Sequence, residues 1–161
     1  SAVSRGLGDV YKRQHINRSE EIKQELRKLK LIVTERSSRR KPSNDCDVYI
    51  VNTYGEMSKF LRLSNVTFIG GSLVNHGGQN PLEAVRMGNY VMHGKKVNNF
   101  KEIYKELKRL KISSEIKNID QMEKVFVKNH NYKISNSKLN KINYLGTKIF
   151  ENNVKEIKNY L

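Results

Sequence analysis

Residues 70–84 read GGSLVNHGGQNPLEA, four glycines wedged between an apolar run and a stretch with helical periodicity. Val66-Thr67-Phe68-Ile69 reads as a strand, and residues 82–87 as a helix closed by Gly88. Few folds tolerate such a junction. A glycine-rich turn that leaves a parallel strand and enters a helix gathers backbone N–H groups around an anion. Gly70 and Gly71 let the chain approach a ligand, and Gly77 and Gly78 permit positive φ. Asn80 suits the N-cap and Pro81 the first helical position, where a missing N–H costs nothing. Glu83 then has two open roles: reaching back to the cap as a capping box, or accepting from a ribose diol. The pattern says phosphate or nucleotide, not which chemistry.

Around this junction strands and helices alternate. Asn17-Arg18-Ser19-Glu20-Glu21 offers caps and early acids before Ile22, Leu26 and Leu29 at helical spacing. Strands are expected at 31–34, 47–51, 66–69 and 90–92, with a weak one near 114–116. Helices are expected at 54–63, 82–87, 100–110 and 120–127, and one or two basic helices over 138–161. This order implies an α/β fold with a doubly wound parallel sheet. A second strand-to-helix loop, residues 52–57, is either an ordinary capped turn or a pocket lining in which Thr53 caps and Gly55-Glu56 face the ligand.

The chain has 161 residues, enough for one domain with a real core. Its 31 Lys+Arg against 16 Asp+Glu leave a formal charge of +15. Either an anionic partner or an AT-rich coding bias accounts for that excess. One cysteine, Cys46, rules out an internal disulfide. No apolar run approaches the roughly 20 residues of a membrane span, and there is no signal peptide, so a soluble cytoplasmic piece is expected. The four His lack metal-ligand spacing. Asp45-Cys46-Asp47 is formally a metal–diphosphate motif but precedes a strand. Residues 1–14, SAVSRGLGDVYKRQ, resemble the translation of a transposon-end sequencing adapter. They are set aside as a non-native tail, and the natural sequence, missing something upstream, is expected to enter at about His15.

Thr53-x-Gly55-Glu56, then Phe68-Ile69-Gly70-Gly71-Ser72-Leu73-Val74, then Gly77-Gly78-x-Asn80-Pro81-Leu82-Glu83 resembles the C-terminal half of the Kdo transferases. The likeness runs in order from His15-x-x-Arg18 to Asn99-Phe100. These enzymes move 3-deoxy-D-manno-octulosonic acid (Kdo) from CMP-Kdo onto lipid A precursors in Gram-negative bacteria. The resemblance implies a GT-B glycosyltransferase whose Rossmann-like C-terminal domain, residues 15–161 here, binds the donor. The acceptor site and catalytic base would lie in an N-terminal domain, so no catalytic residue is expected in this chain. It further implies that Gly71, Ser72, Gly77, Gly78 and Asn80 surround the CMP phosphate, with His15 and Arg18 neutralising it. Glu83 would take the ribose hydroxyls, and Gly55, Glu56 and Met57 would sit beside the cytidine.

CMP-Kdo carries one phosphate, so neither a metal nor another cofactor is expected. Implied partners are CMP-Kdo, a lipid A precursor reached through the missing domain, and the anionic cytoplasmic face of the inner membrane. Arg36, Arg39, Arg40 and Lys41 form a basic loop, and Lys101, Lys105, Lys108 and Lys111 a basic helix face, suited to that surface. The sequence also departs from the family: Gln14 replaces a usual Arg, Asn52 an Asp, Gln79 a His and Ala84 a Pro. His93-Gly94-Lys95 stands for an aromatic-Gly-Pro turn. Two other readings remain open. One is a UDP-sugar transferase or epimerase of GT-B type; the other is a basic nucleic-acid-binding module, for which no recognition motif is present.

Overall fold

The computed structural model describes residues 10–12, 18–38 and 41–159. Its strands pair in two three-stranded parallel sheets, one in each of two compact units, Ser1–Ser64 and Asn65–Leu161. The expected parallel strands are therefore present but shared between two sheets.

The first unit contains β1 (Val10–Lys12), α1 (Ser19–Lys28), β2 (Val33–Glu35), β3 (Val48–Val51) and α2 (Met57–Leu61). β3 runs between its neighbours, with Val10 opposite Tyr49 and Val33 opposite Val48. A central parallel strand is covered on both faces, which is why Val-Tyr-Ile-Val is apolar throughout and buried from Tyr49 to Val51. β1 falls inside the segment set aside as foreign. Strand pairing uses backbone groups alone, and Val-Tyr-Lys is compatible with it whatever its origin. β2 starts two residues later than the periodicity suggests. Leu31 is spent closing α1: its N–H bonds to the Leu26 carbonyl while Lys30 takes φ 61°.

The second unit contains β4 (Val66–Ile69), α3 (Leu82–Arg86), β5 (Tyr90–His93), α4 (Lys101–Arg109), β6 (Ser113–Glu115), α5 (Ile119–Asn129) and α6 (Asn136–Asn159). β5 lies between β4 and β6, and all four of its residues are buried. Side chains alternate across a strand. Tyr90 and Met92 accordingly pack with Val66, Phe68 and the α5 residues Met122 and Val125. His93 points to the other face, its ring 4.4 Å from that of Tyr104 on α4. Helices thus cover both sides of the sheet. Val85, Val91, Leu107, Ile112 and Ile142 have no solvent contact and form much of the interior of this unit. The region expected to be one or two terminal helices is a single helix, α6, whose Gly146 lies against the guanidinium of Arg86 on α3. No described helix is long and apolar enough to cross a membrane.

Candidate functional site

The glycine loop joins β4 to α3, and it is anchored mainly through its carbonyls. The Ile69 carbonyl accepts the Ser72 hydroxyl at 2.5 Å, and the Ser72 carbonyl accepts the Lys96 N–H at 2.8 Å. Gly71 accepts from Gly78 at 3.3 Å, Gly77 from Asn99 at 3.3 Å, and Gln79 from the Tyr104 hydroxyl at 2.9 Å. Within the loop, His76 and Gly78 spend their N–H groups on turns. Acceptors are used and much of the donor set is left over, which is the polarity an anion-binding concavity requires.

Two glycines are demanded by close packing. Gly77 takes φ +75°, and a Cβ there would lie 2.5 Å from the Asn99 side-chain amide nitrogen. A Cβ on Gly94, in the turn after β5, would run into the Ser72 carbonyl. Gly71 and Gly78 also take positive φ. Ser72 itself is fully buried: its Oγ donates to Ile69 and accepts from the Gly94 N–H at 2.8 Å. Its hydroxyl is therefore a rivet beneath the loop. His93, next to Gly94, has Nδ1 2.8 Å from the Gly94 carbonyl, and burial pushes its pKa below the usual imidazole value.

At the end of the loop, Asn80 Oδ1 accepts from the Leu82 N–H at 3.0 Å, the bond an N-cap makes. Glu83 makes no capping box: its exposed carboxylate has no hydrogen-bond or ionic partner among the described residues. Of the two roles left open by its spacing, the capping box is not the one adopted. α3 has only five residues, so any field at this loop comes from the loop's own N–H groups rather than from a long helix.

The 52–57 loop belongs to the first unit and is built on side chains. Arg36 grips Glu56 with both arms, Nε to Oε2 at 2.9 Å and Nη2 to Oε1 at 2.8 Å. Thr53 Oγ1 donates to Oε2 at 2.7 Å, and Lys59 Nζ lies 3.5 Å from Oε1. Chiefly through Arg36 and then Thr53, the Glu56 pKa is pulled down to about 2. Asn52 accepts from the Ser37 N–H at 2.9 Å and donates to the Ser37 hydroxyl at 2.8 Å and to Glu35 at 3.4 Å. An aspartate there could not donate, which rationalises an amide beside Glu35. Gly55 takes φ +76°, and Met57, at the start of α2, is half-buried.

Arg18 pairs with Glu21 one turn on, at 2.7 and 3.0 Å. His15 and the basic residues Arg39 and Arg40 lie outside the described residues. Among the described residues no three His, Cys, Asp or Glu are grouped to hold a metal. Sequence reading missed Arg36 as more than part of a basic loop, and missed Asn99 and Gly94 as supports of the glycine loop. Their partners are 20 to 22 residues away in other loops, where no periodicity links them.

No protein-family model matches the chain. Among curated proteins it is 38% identical over 82 residues to the 3-deoxy-D-manno-octulosonic acid transferase of Haemophilus influenzae, covering 51% of this chain and 19% of that protein. The corresponding transferase of Rickettsia bellii is 31% identical over 130 residues, covering 81% of this chain and 26% of its own length. A bifunctional glycosyltransferase/methyltransferase of Fusobacterium nucleatum is 33% identical over 94 residues, which is 58% of this chain and 15% of that protein. The chain thus spans about a quarter or less of these relatives. Among solved structures, the C-terminal CMP-Kdo binding domain of WaaA from Acinetobacter baumannii superposes with a TM-score of 0.71 at 26% identity. That match covers 77% of this chain and 65% of the other. By sequence and by fold, the chain belongs with the C-terminal domains of the Kdo transferases, the Rossmann-like halves of GT-B glycosyltransferases.

Proposed function

We propose that this chain is the donor-binding part of an enzyme that transfers Kdo from CMP-Kdo to a lipid A precursor in lipopolysaccharide synthesis. The observation that carries the reading is the polarity of the glycine loop, whose carbonyls are tied down while N–H groups are left for an anion. Gly71, Ser72, Gly77, Gly78 and Asn80 line the phosphate, with Ser72 acting through its backbone because its hydroxyl is already used. Glu83, exposed and unpartnered, takes the ribose hydroxyls. The likeness to the Kdo transferases assigns the cytidine to Gly55, Glu56 and Met57 and the donor's charge to Arg18 and His15.

In the reaction the acceptor hydroxyl attacks the anomeric carbon as CMP leaves from the opposite face, with inversion. The departing phosphate gains negative charge, which fixed N–H donors stabilise without reorganising. A carboxylate in another part of the full protein removes the acceptor proton. This chain alone should bind CMP and transfer nothing.

The test is an NMR titration of the whole chain with CMP, with UMP and UDP as controls. Shifts at residues 53–57 and 71–83 with CMP preferred are the expected result. Preference for UDP would point to a UDP-sugar enzyme, and a folded protein with no response would overturn the reading. Oligonucleotide binding that survives excess CMP would instead favour a nucleic-acid module. The same proposal puts the enzyme at the cytoplasmic face of the inner membrane. The exposed Lys101, Lys105, Lys108 and Lys111 support this, since each basic residue near an anionic surface contributes about 1 kcal/mol. Co-sedimentation with anionic vesicles should occur at low salt and vanish as ionic strength rises.

A further inference from the structure

The Glu56 carboxylate is an unusual candidate for reading a base. An ionised carboxylate offers about four lone-pair positions and no donor. Here four donors converge on it: Arg36 Nε and Thr53 Oγ1 on Oε2, and Arg36 Nη2 and Lys59 Nζ on Oε1. The closest three lie within 2.9 Å. The fourth, Lys59, is 74% exposed and stands off at 3.5 Å, so a cytosine amine would have to compete for the one position that it holds loosely. The contacts instead cross between two loops. Arg36 stands in the 3-10 turn that follows β2, and Glu56 caps α2 after β3, twenty residues later. Asn52 stitches the same two loops through Ser37 and Glu35. Between these anchors sit Tyr54 and Gly55, and the carbonyls of residues 53–55 accept no bond among the described residues.

We propose that Arg36 is a positioning residue for the nucleobase loop, acting through Glu56, and that a loop carbonyl rather than the Glu56 carboxylate meets the cytosine amine. Uracil presents a carbonyl at that place, so two acceptors would face each other. Discrimination between the two bases then depends on where the brace holds the backbone. A planar, bidentate guanidinium fixes the carboxylate in orientation as well as distance, which an ammonium cannot do. The proposal rests on the CMP-binding reading above.

The experiment measures dissociation constants for CMP and UMP with the whole chain carrying Arg36→Ala, Arg36→Lys, Glu56→Gln, or Arg36→Ala and Glu56→Gln together. If the brace acts as proposed, Arg36→Ala and Glu56→Gln each lower the CMP-over-UMP preference on the order of tenfold, as misplacement of a supporting shell does. The combined change is no worse than either single one. Arg36→Lys recovers part of the preference. If Glu56→Gln abolishes the preference while Arg36→Ala leaves it intact, the carboxylate reads the base directly and the proposal is wrong. It is equally wrong if both single changes leave the preference untouched. Unchanged shifts along α1 and β3, which share the first unit with the brace, exclude unfolding of that unit. A wild-type chain that does not bind CMP overturns the functional reading itself, and that arm is independent of every variant.

Discussion

Glu83 was legible as a residue with two possible employments, and the structure leaves its carboxylate with neither cap nor salt bridge. Glu83→Ala should therefore leave the melting temperature nearly unchanged while weakening CMP binding on the order of tenfold, about the worth of one charge-assisted hydrogen bond. A capping role predicts the reverse, a drop in stability with binding intact. The two glycines near β5 make a second contrast. Gly94→Ala drives a methyl into the Ser72 carbonyl and should abolish the nucleotide response while destabilising by about 1–3 kcal/mol, the usual penalty for overpacking. Gly88 takes φ +96° with open space around it, so Gly88→Ala should carry only backbone strain of about 1 kcal/mol and keep binding. Gly88 was readable as a helix stop because a left-handed residue is what such an end needs. Lys30 and Lys111 fill the same position after α1 and α4, at φ 61° and 54°, and nothing in a lysine announces it. Acid offers one more test at this scale. Glu56 titrates at about 2 when folded against an ordinary 4.5, so its contribution is complete above pH 4.5 and fades as pH falls toward 2. Glu56→Gln should flatten that part of the stability–pH curve.

Elements were legible where their periodicity was long. α4 emerges within a residue of its expected bounds because Ile103 and Leu107 mark one buried stripe. α2 is much shorter than expected: Glu56 serves as its N-cap, so residues 54–56 belong to the loop and not to the helix. The docking of α6 on α3 left no trace in the sequence, since it depends on Arg86 lying across a glycine sixty residues away. Gly146→Ala would improve helix propensity by about 1 kcal/mol in isolation. Here the added methyl collides with the Arg86 guanidinium, so amide exchange along α6 should become faster. Slower exchange would show that Arg86 simply swings aside.

At the scale of the molecule, the alternation of strands and helices identified the fold class, but not the division into two sheets, because pairing partners are chosen in space. Residues 1–14 are set aside for their likeness to a translated adapter, and within them Val10–Lys12 runs beside β3, a pairing that leaves their origin open. That pairing has a practical consequence for anyone who trims the chain to His15. β3 would lose one of its two neighbours and bare a row of unmatched peptide groups along an apolar strand, the kind of border that recruits other copies. The trimmed protein should elute as soluble oligomers or precipitate, while the longer one stays monomeric. An equally soluble monomer starting at His15 would show that the strand is dispensable. Because the vacancy is filled by main-chain geometry, a short synthetic strand added in trans should restore the monomer, which makes the pairing a complementation assay.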